Sequence, residues 1–232
     1  MADVGSMASV TLIRGADLVA APWKNGGGVT REVAAVPEQA GLDCFVWRVS
    51  IADVAQAGPF SRFAGIDRTL VLLSGAGMLL DEIAEPESVL VGEAAGRGAN
   101  EAASSGVANS TISANVVKTH ALTQPLDIAR FAGETPIDAR LVDGATRDFN
   151  LMVRRGAARG EVEVWRGAMQ HALSADVVLL YCAEGAVSVS LGDAAAQPLA
   201  TGDTLRINAP DALHCAVHGA GALLAIRLHY ER

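Results

Sequence analysis

The chain has 232 residues, of which 18 are Lys or Arg and 26 are Asp or Glu, a formal net charge of −8. That balance excludes a general nucleic-acid binder, which needs a basic face against the phosphates, and a polybasic membrane-surface protein. Hydrophobic residues at 50% supply a packed core and exclude global disorder, and the length allows one large β domain or two smaller similar ones.

Residues 1–7 lack a basic stretch followed by a long apolar one, so no signal peptide is expected. The segment 22–32 reads Pro-Trp-Lys-Asn-Gly-Gly-Gly-Val-Thr-Arg-Glu. Its three glycines permit positive φ and close approach of a ligand or a second backbone. Trp23, Lys24, Asn25, Thr30, Arg31 and Glu32 crowd polar chemistry around them. A tight turn plugged by Trp23 explains the same residues without a ligand, and both readings stand at this point. Residues 45–51, Phe-Val-Trp-Arg-Val-Ser-Ile, alternate with period two. This predicts a strand with Arg48 and Ser50 on one face and Trp47 and Val49 on the other. A short helix is expected near 53–57. Strands are predicted at 69–73 and 77–80, around a Gly turn. From 84 to 118 the chain is rich in Ala, Gly, Ser and Asn and has no aromatic residue. It reads as a long, exposed, mobile insertion between two strands, followed by a hairpin near 120–131.

Further strands are predicted at 162–165, 177–181, 186–191 and 223–228. Many short strands and few helices mean an all-β sandwich or barrel. The longest apolar run, 177–183, is far short of the roughly 20 residues of a membrane span. Cys44, Cys182 and Cys215 are odd in number and far apart, which reads as free thiols in a reducing cytoplasm. The chain also echoes itself: 69–80 resembles 177–191, and 124–134 resembles 197–203. Gly185, Gly202-Asp203, Pro210 and His214 follow the order of a cupin half. The expected architecture is two cupin-like jelly-roll barrels, a bicupin. The first spans 10–145 with the insertion at 84–118, and the second spans 146–232.

The segment 22–32 has company at 45–50, at 58–63 (Gly-Pro-Phe-Ser-Arg-Phe), at 65–68 (Gly-Ile-Asp-Arg) and at 148–150 (Asp-Phe-Asn). Together they closely resemble the HutD/Ves family, bicupins associated with histidine utilization in bacteria. The resemblance runs from about Val10 to the C-terminus and is strongest in roughly the first third; the insertion at 84–118 departs from it. It implies a cytoplasmic, small-molecule-binding protein with a regulatory role, N-formyl-L-glutamate as ligand, and no firmly attached reaction. The pocket it implies comprises Trp23, Lys24, Asn25, Thr30, Arg31, Trp47, Arg48, Ser50, Phe60, Ser61 and Arg68. The chemistry fits: a dicarboxylate calls for arginine forks, neutral groups for the amide, and aromatic walls against water. The expected partner is a small anionic metabolite, with a homodimer allowed and neither nucleic acid nor membrane involved.

No metal and no cofactor is expected. His-x-His is absent from the sequence. His171, Asp176 and His214 imitate part of a cupin metal set, but Met169 stands where its first His belongs, and Arg68 takes roughly the acidic ligand's place in the first half. Gly75-Ala-Gly77 has no following helix, so it is not a dinucleotide loop, and no Ser-His-Asp triad motif occurs. Asp148-Phe149-Asn150 reads as a turn at the join between barrels, and Arg154-Arg155 as a solvated strand end. Two other functions are kept: a cupin enzyme acting on a small carboxylate, with Glu32 the one candidate base, and a protein-interaction module.

Overall fold

The computed structural model describes residues 8–84 and 115–232. Most of the insertion expected at 84–118 therefore lies outside the described residues. The chain opens with β1 (Ser9–Ile13), β2 (Ala20–Pro22), β3 (Gly28–Val36), β4 (Trp47–Val54), β5 (Gly58–Pro59), β6 (Ile66–Ser74) and β7 (Met78–Ile83). Next come β8 (Val116–Leu122), β9 (Ile128–Ala132), β10 (Ile137–Leu141), β11 (Thr146–Arg154), β12 (Ala158–Arg166) and β13 (Met169–Leu173). The last are β14 (Val177–Glu184), β15 (Ala186–Leu191), β16 (Gln197–Ala200), β17 (Thr204–Asn208), β18 (Leu213–His218) and β19 (Ala222–Tyr230). The fold is all-β, as the short alternating runs require.

Four antiparallel sheets form two units. In the first, the sheet β2-β3-β4-β11-β6-β9 faces β5-β10-β7-β8 across a core containing Leu70, Leu72, Met78, Leu80, Leu122 and Ile137. In the second, β1-β17-β14-β19-β12 faces β13-β18-β15-β16 across Leu173, Leu180, Leu199, Ile207, Cys215 and Leu223. The two larger sheets then pack back to back. Trp47, Phe149 and Leu151 of the first unit meet Leu179, Tyr181 and Ile226 of the second in one cluster. Each fully buried large side chain there contributes about 1.5–3 kcal/mol. A sheet covered on both faces needs apolar residues on both, which is why β14 reads as a nearly continuous apolar run, whereas β11, equally buried, keeps Asp148 and Asn150 on its inner face. In β11, Phe149, Leu151 and Val153 serve the junction, while Asp148, Asn150 and Met152 point into the first unit.

The N-terminal strand crosses over. β1 pairs with β17, from Ser9 opposite Asn208 to Ile13 opposite Thr204. Asp203 pins the crossing: its carboxylate accepts from Gly15 N–H at 3.0 Å and Arg14 Nη1 at 2.7 Å. Gly15 and Gly202 lie backbone to backbone there, and a Cβ at Gly15 would come within 2.7 Å of the Gly202 carbonyl carbon.

Three expectations need correction. Residues 53–57 are not helical: β4 runs through Val54, and the described residues hold only the 3-10 turn Gly15–Asp17 as a helical element. Residues 120–131 are not a hairpin, because β8 pairs with β7 and β9 with β6, in different sheets. Asp148-Phe149-Asn150 is no turn but the middle of β11, paired with β4 and β6. The boundary expected at 145/146 falls at the start of this strand, so by pairing the first unit continues to Arg154. Among the described residues, no helix is long and apolar enough to cross a membrane.

Candidate ligand site in the first unit

Strand parity sorts the polar side chains. On the inner face of the six-stranded sheet, Ser50 pairs across to Asn150, and Met152 lies between Arg48 and Arg68. Glu32 stands opposite Ser50, and Phe131 opposite Arg68. A polar stripe therefore crosses an otherwise apolar lumen. The second unit carries a smaller polar group at one end of its lumen, where Arg227 pairs with Glu163 at 2.8 Å and His171 stacks on Trp165, and its lumen is otherwise lined by aliphatic side chains and two cysteines.

Arg68 is the centre of the stripe. It is only 6% exposed, yet its Nε has no hydrogen-bond partner and Nη1 reaches only the Ser61 carbonyl oxygen, at 3.4 Å. Three phenyl rings surround the guanidinium, with centroids at 5.3 Å (Phe60), 5.7 Å (Phe63) and 5.2 Å (Phe131). Ring faces attract a cation but are only weak acceptors for its N–H groups. Burial pulls the Arg68 pKa down to about 10, with Asp148 opposing and Arg48 adding to the fall, so the group stays charged at neutral pH.

Asp148 and Asn150 supply the other half. They are 2% and 9% exposed, and Asp148 Oδ2 and Asn150 Oδ1 are buried without partners. Burial pushes the Asp148 carboxyl up to about 7, against the pull of Arg68 and with a further push from Asp53 on the opposite face. An unsatisfied buried polar group costs about 1–3 kcal/mol. Three such groups lie on the inner face of one sheet: a donor on Arg68 and acceptor oxygens on Asp148 and Asn150. Arg48 lies at the edge of the stripe, with 11% side-chain exposure. It donates from Nε to Glu32 Oε2 at 2.7 Å and from Nη1 to Ser50 Oγ at 3.1 Å.

The eleven sequence-derived positions divide. Arg48, Ser50, Phe60, Arg68 and the Ser61 backbone gather at the stripe. Trp23 packs into the same lumen, its Nε1 donating to Thr30 Oγ1 at 2.7 Å. The triple glycine seats that ring: a Cβ on Gly28 would lie 3.0 Å from it and 2.5 Å from the Asp53 carbonyl oxygen. Asn25 closes the turn by accepting Gly27 N–H at 3.0 Å, and Lys24 is exposed at its tip. Arg31 and Trp47 point to the opposite face and do not join the others. Arg31 pairs with Ile51 in register and meets Asp53; Trp47 is fully buried between the units. Odd numbering on strands whose inner face is even put them there. Glu32 faces the lumen as a partner of Arg48, not as a free base.

Sequence reasoning missed Asp148, Asn150, Phe63 and Phe131. The available signal was Asp148 and Asn150 at i and i+2 within an apolar strand, the spacing of Arg48 and Ser50. Arg154 is not merely solvated: it donates to the Phe45 carbonyl at 2.9 Å and the Asp43 carbonyl at 2.8 Å. Among the described residues no three His, Cys, Asp or Glu side chains gather in a group able to hold a metal ion. His171 stacks on Trp165 with centroids 4.2 Å apart, and Asp176 accepts Tyr230 N–H at 2.8 Å. Cys182 and Cys215 are buried, Cys44 is exposed, and all three are free thiols.

The HutD family profile matches residues 15–97 and 109–225. The chain belongs to the HutD family. It is 33% identical over 207 residues to an uncharacterized 21.2 kDa protein of the hutC 3′ region of Pseudomonas putida, covering 89% of this chain and 91% of that one. It is 35% identical over 143 residues to protein Ves of Cronobacter sakazakii, covering 61% and 59%. HutD from Pseudomonas fluorescens SBW25 superposes with a TM-score of 0.71 at 27% identity, over 97% of this chain and 100% of that one. An oxalate decarboxylase from Lactobacillus farciminis gives 0.54 at 9% identity, over 99% and 88%, which shows a shared cupin fold alone.

Proposed function

We propose that this HutD-family protein binds a small carboxylate metabolite of the N-formylglutamate type in its first unit and has a regulatory role in histidine utilization in the cytoplasm. The observation that carries the reading is Arg68, charged, buried among three phenyl rings and lacking a partner at Nε, on the same sheet face as the unpartnered oxygens of Asp148 and Asn150. A carboxylate supplies what Arg68 lacks. An amide N–H supplies what Asn150 Oδ1 lacks. N-formylglutamate carries both groups, with a second carboxylate for Arg48 where the stripe meets solvent. The relative in the hutC 3′ region supports the place in histidine utilization.

The test is a thermal-shift screen of N-formyl-L-glutamate, glutamate, formate and other histidine-pathway acids. A ligand at a hundred times its Kd adds roughly 2.7 kcal/mol of stability. N-formylglutamate is expected to stabilise most, because glutamate brings a charged amine beside Arg68 and formate has no N–H. No stabilisation by any carboxylate refutes the reading.

One observation favours a second reading. A carboxyl raised to about 7 beside a guanidinium is placed for general acid–base work, so Asp148 also fits an enzyme acting on the same ligand. Proton NMR of N-formylglutamate incubated with the protein separates the two. Persistent signals favour binding alone, and new signals favour catalysis.

A further inference from the structure

Arg31 belongs to a second constellation, on the opposite face of the same sheet. It converges with Arg147 of β11 on Asp53 of β4. Arg147 grips both carboxylate oxygens, Nε to Oδ1 at 2.5 Å and Nη2 to Oδ2 at 3.2 Å. Arg31 Nη1 takes Oδ2 as well, at 2.5 Å. One carboxylate thus serves two guanidiniums. The hydrogen bond from Arg147, against the cost of burial and with help from Arg31, holds the Asp53 carboxyl below its usual range, so it stays ionised and neutralises only one of them. One positive charge remains, on a chain with a net charge of −8.

This charge faces a cleft. The space between the two units beside Arg31 and Arg147 has a volume of ≈ 260 Å³. Its polar lining continues with Ser74 of β6, Tyr181 of β14, and the Gly15 and Gly202 backbones where β1 crosses over, and the remaining wall is mostly apolar, with Leu18, Ile51 and Leu73. No acidic side chain lines it. Tyr181 is fixed by its contact with Phe149, centroids 5.4 Å apart, and burial pushes its phenol up to about 12, so the hydroxyl remains a donor at neutral pH. The guanidinium edges not used on Asp53, the Ser74 hydroxyl and the Tyr181 hydroxyl are all donors. The volume lies just below the usual range of small-molecule pockets, about 300–1,000 Å³, which suits a small oxyanion and not a nucleotide.

We propose that the cleft between the units is a second anion site, in which Arg31 and Arg147 bind the oxygens of a phosphate or carboxylate group and Ser74 and Tyr181 complete the donor set. Arginine forks recognise both groups by the same planar geometry. The site is separate from the lumen of the first unit: the sheet lies between them, and no residue of one lines the other.

Amide NMR titration of the full chain near neutral pH, with inorganic phosphate and with acetate at constant ionic strength, tests the proposal. Saturable shifts are expected at Gly15, Ser74 and Gly202. Phosphate binding tighter than acetate assigns a phosphate-bearing ligand, and the reverse order assigns a carboxylate. Arg31→Gln and Arg147→Gln should each weaken the better probe more than about threefold, and Arg159→Gln, in a surface pair with Glu231 outside both sites, should not. Should an arginine variant fail to fold, Tyr181→Phe takes its place with the same expectation. The proposal is overturned by the absence of saturation below about 20 mM of either ion, by shifts confined to the lumen strands, or by affinities within about threefold of wild type in the cleft variants.

Discussion

Asp148→Asn isolates the least ordinary group in the lumen. The wild-type carboxyl ionises near 7 in the folded protein against a reference of 3.8, because it is buried and the Arg68 charge only partly compensates. The folded state therefore keeps its proton after the unfolded chain has lost it. This contribution to stability is complete below about pH 4 and is lost as pH rises through 7. At 1.36 kcal/mol per unit, the raised pKa removes about 2–3 kcal/mol of stability between pH 5 and pH 8. The asparagine keeps the size of the carboxyl and cannot ionise. Urea unfolding of both proteins at several pH values gives the difference between them, in which every other titrating group cancels. The variant should gain about 2–3 kcal/mol on wild type between pH 5 and pH 8. A difference constant to within about 0.5 kcal/mol over that range would show that Asp148 is hydrated or firmly paired, and would refute the orphaned carboxyl on which the site is built.

Gly28→Ala places a methyl group 2.5 Å from the Asp53 carbonyl oxygen and 3.0 Å from the Trp23 ring. It should cost about 1–3 kcal/mol in denaturant unfolding and alter tryptophan fluorescence. Asp203→Ala frees β1 from the second unit. Burial raises this carboxyl's pKa, but Gly15 N–H, Arg14 and Ala200 N–H more than offset that and hold it below the ordinary value. The loss, about 1–3 kcal/mol, should appear at neutral pH and shrink as wild type acidifies through the low folded pKa. Phe149→Ala opens a hole between the two large sheets and should cost about 3–5 kcal/mol in the same assay. Elemental analysis of protein purified without added metal should find no stoichiometric transition metal; one equivalent lost in His171→Ala would overturn that expectation.

Period-two alternation over 45–51 placed Arg48 and Ser50 together and set Trp47 apart, and the structure agrees because parity along one strand is a local property. Parity between strands is not. Arg31 and Arg68 both lie in nine-residue strands, but only register decides that one faces the junction and the other the lumen. The same long-range pairing turned Asp148 and Asn150 from an apparent turn into part of the sheet face that holds Ser50 and Arg68. Phe131 reached Arg68 through β9, from more than sixty positions away. The crossing of β1 into the second unit depends on contacts between Gly15 and Gly202 and on Asp203, with no mark in the local sequence. The all-β plan was legible because short alternating runs recur along the chain. The polar stripe was legible only in the strands whose alternation is clean.

Titration calorimetry of N-formyl-L-glutamate into wild type and Arg48→Ala tests the lumen site most directly. Arg48 lies at the edge of the stripe and is held by Glu32 and Ser50, so the variant should fold. Wild type should bind with a Kd well below about 1 mM, and truncation of one partner of a desolvated charge pair should cost about 2–5 kcal/mol, at least thirtyfold in Kd. Equal affinities in the two proteins, or no heat from wild type up to about 10 mM ligand, would contradict the site.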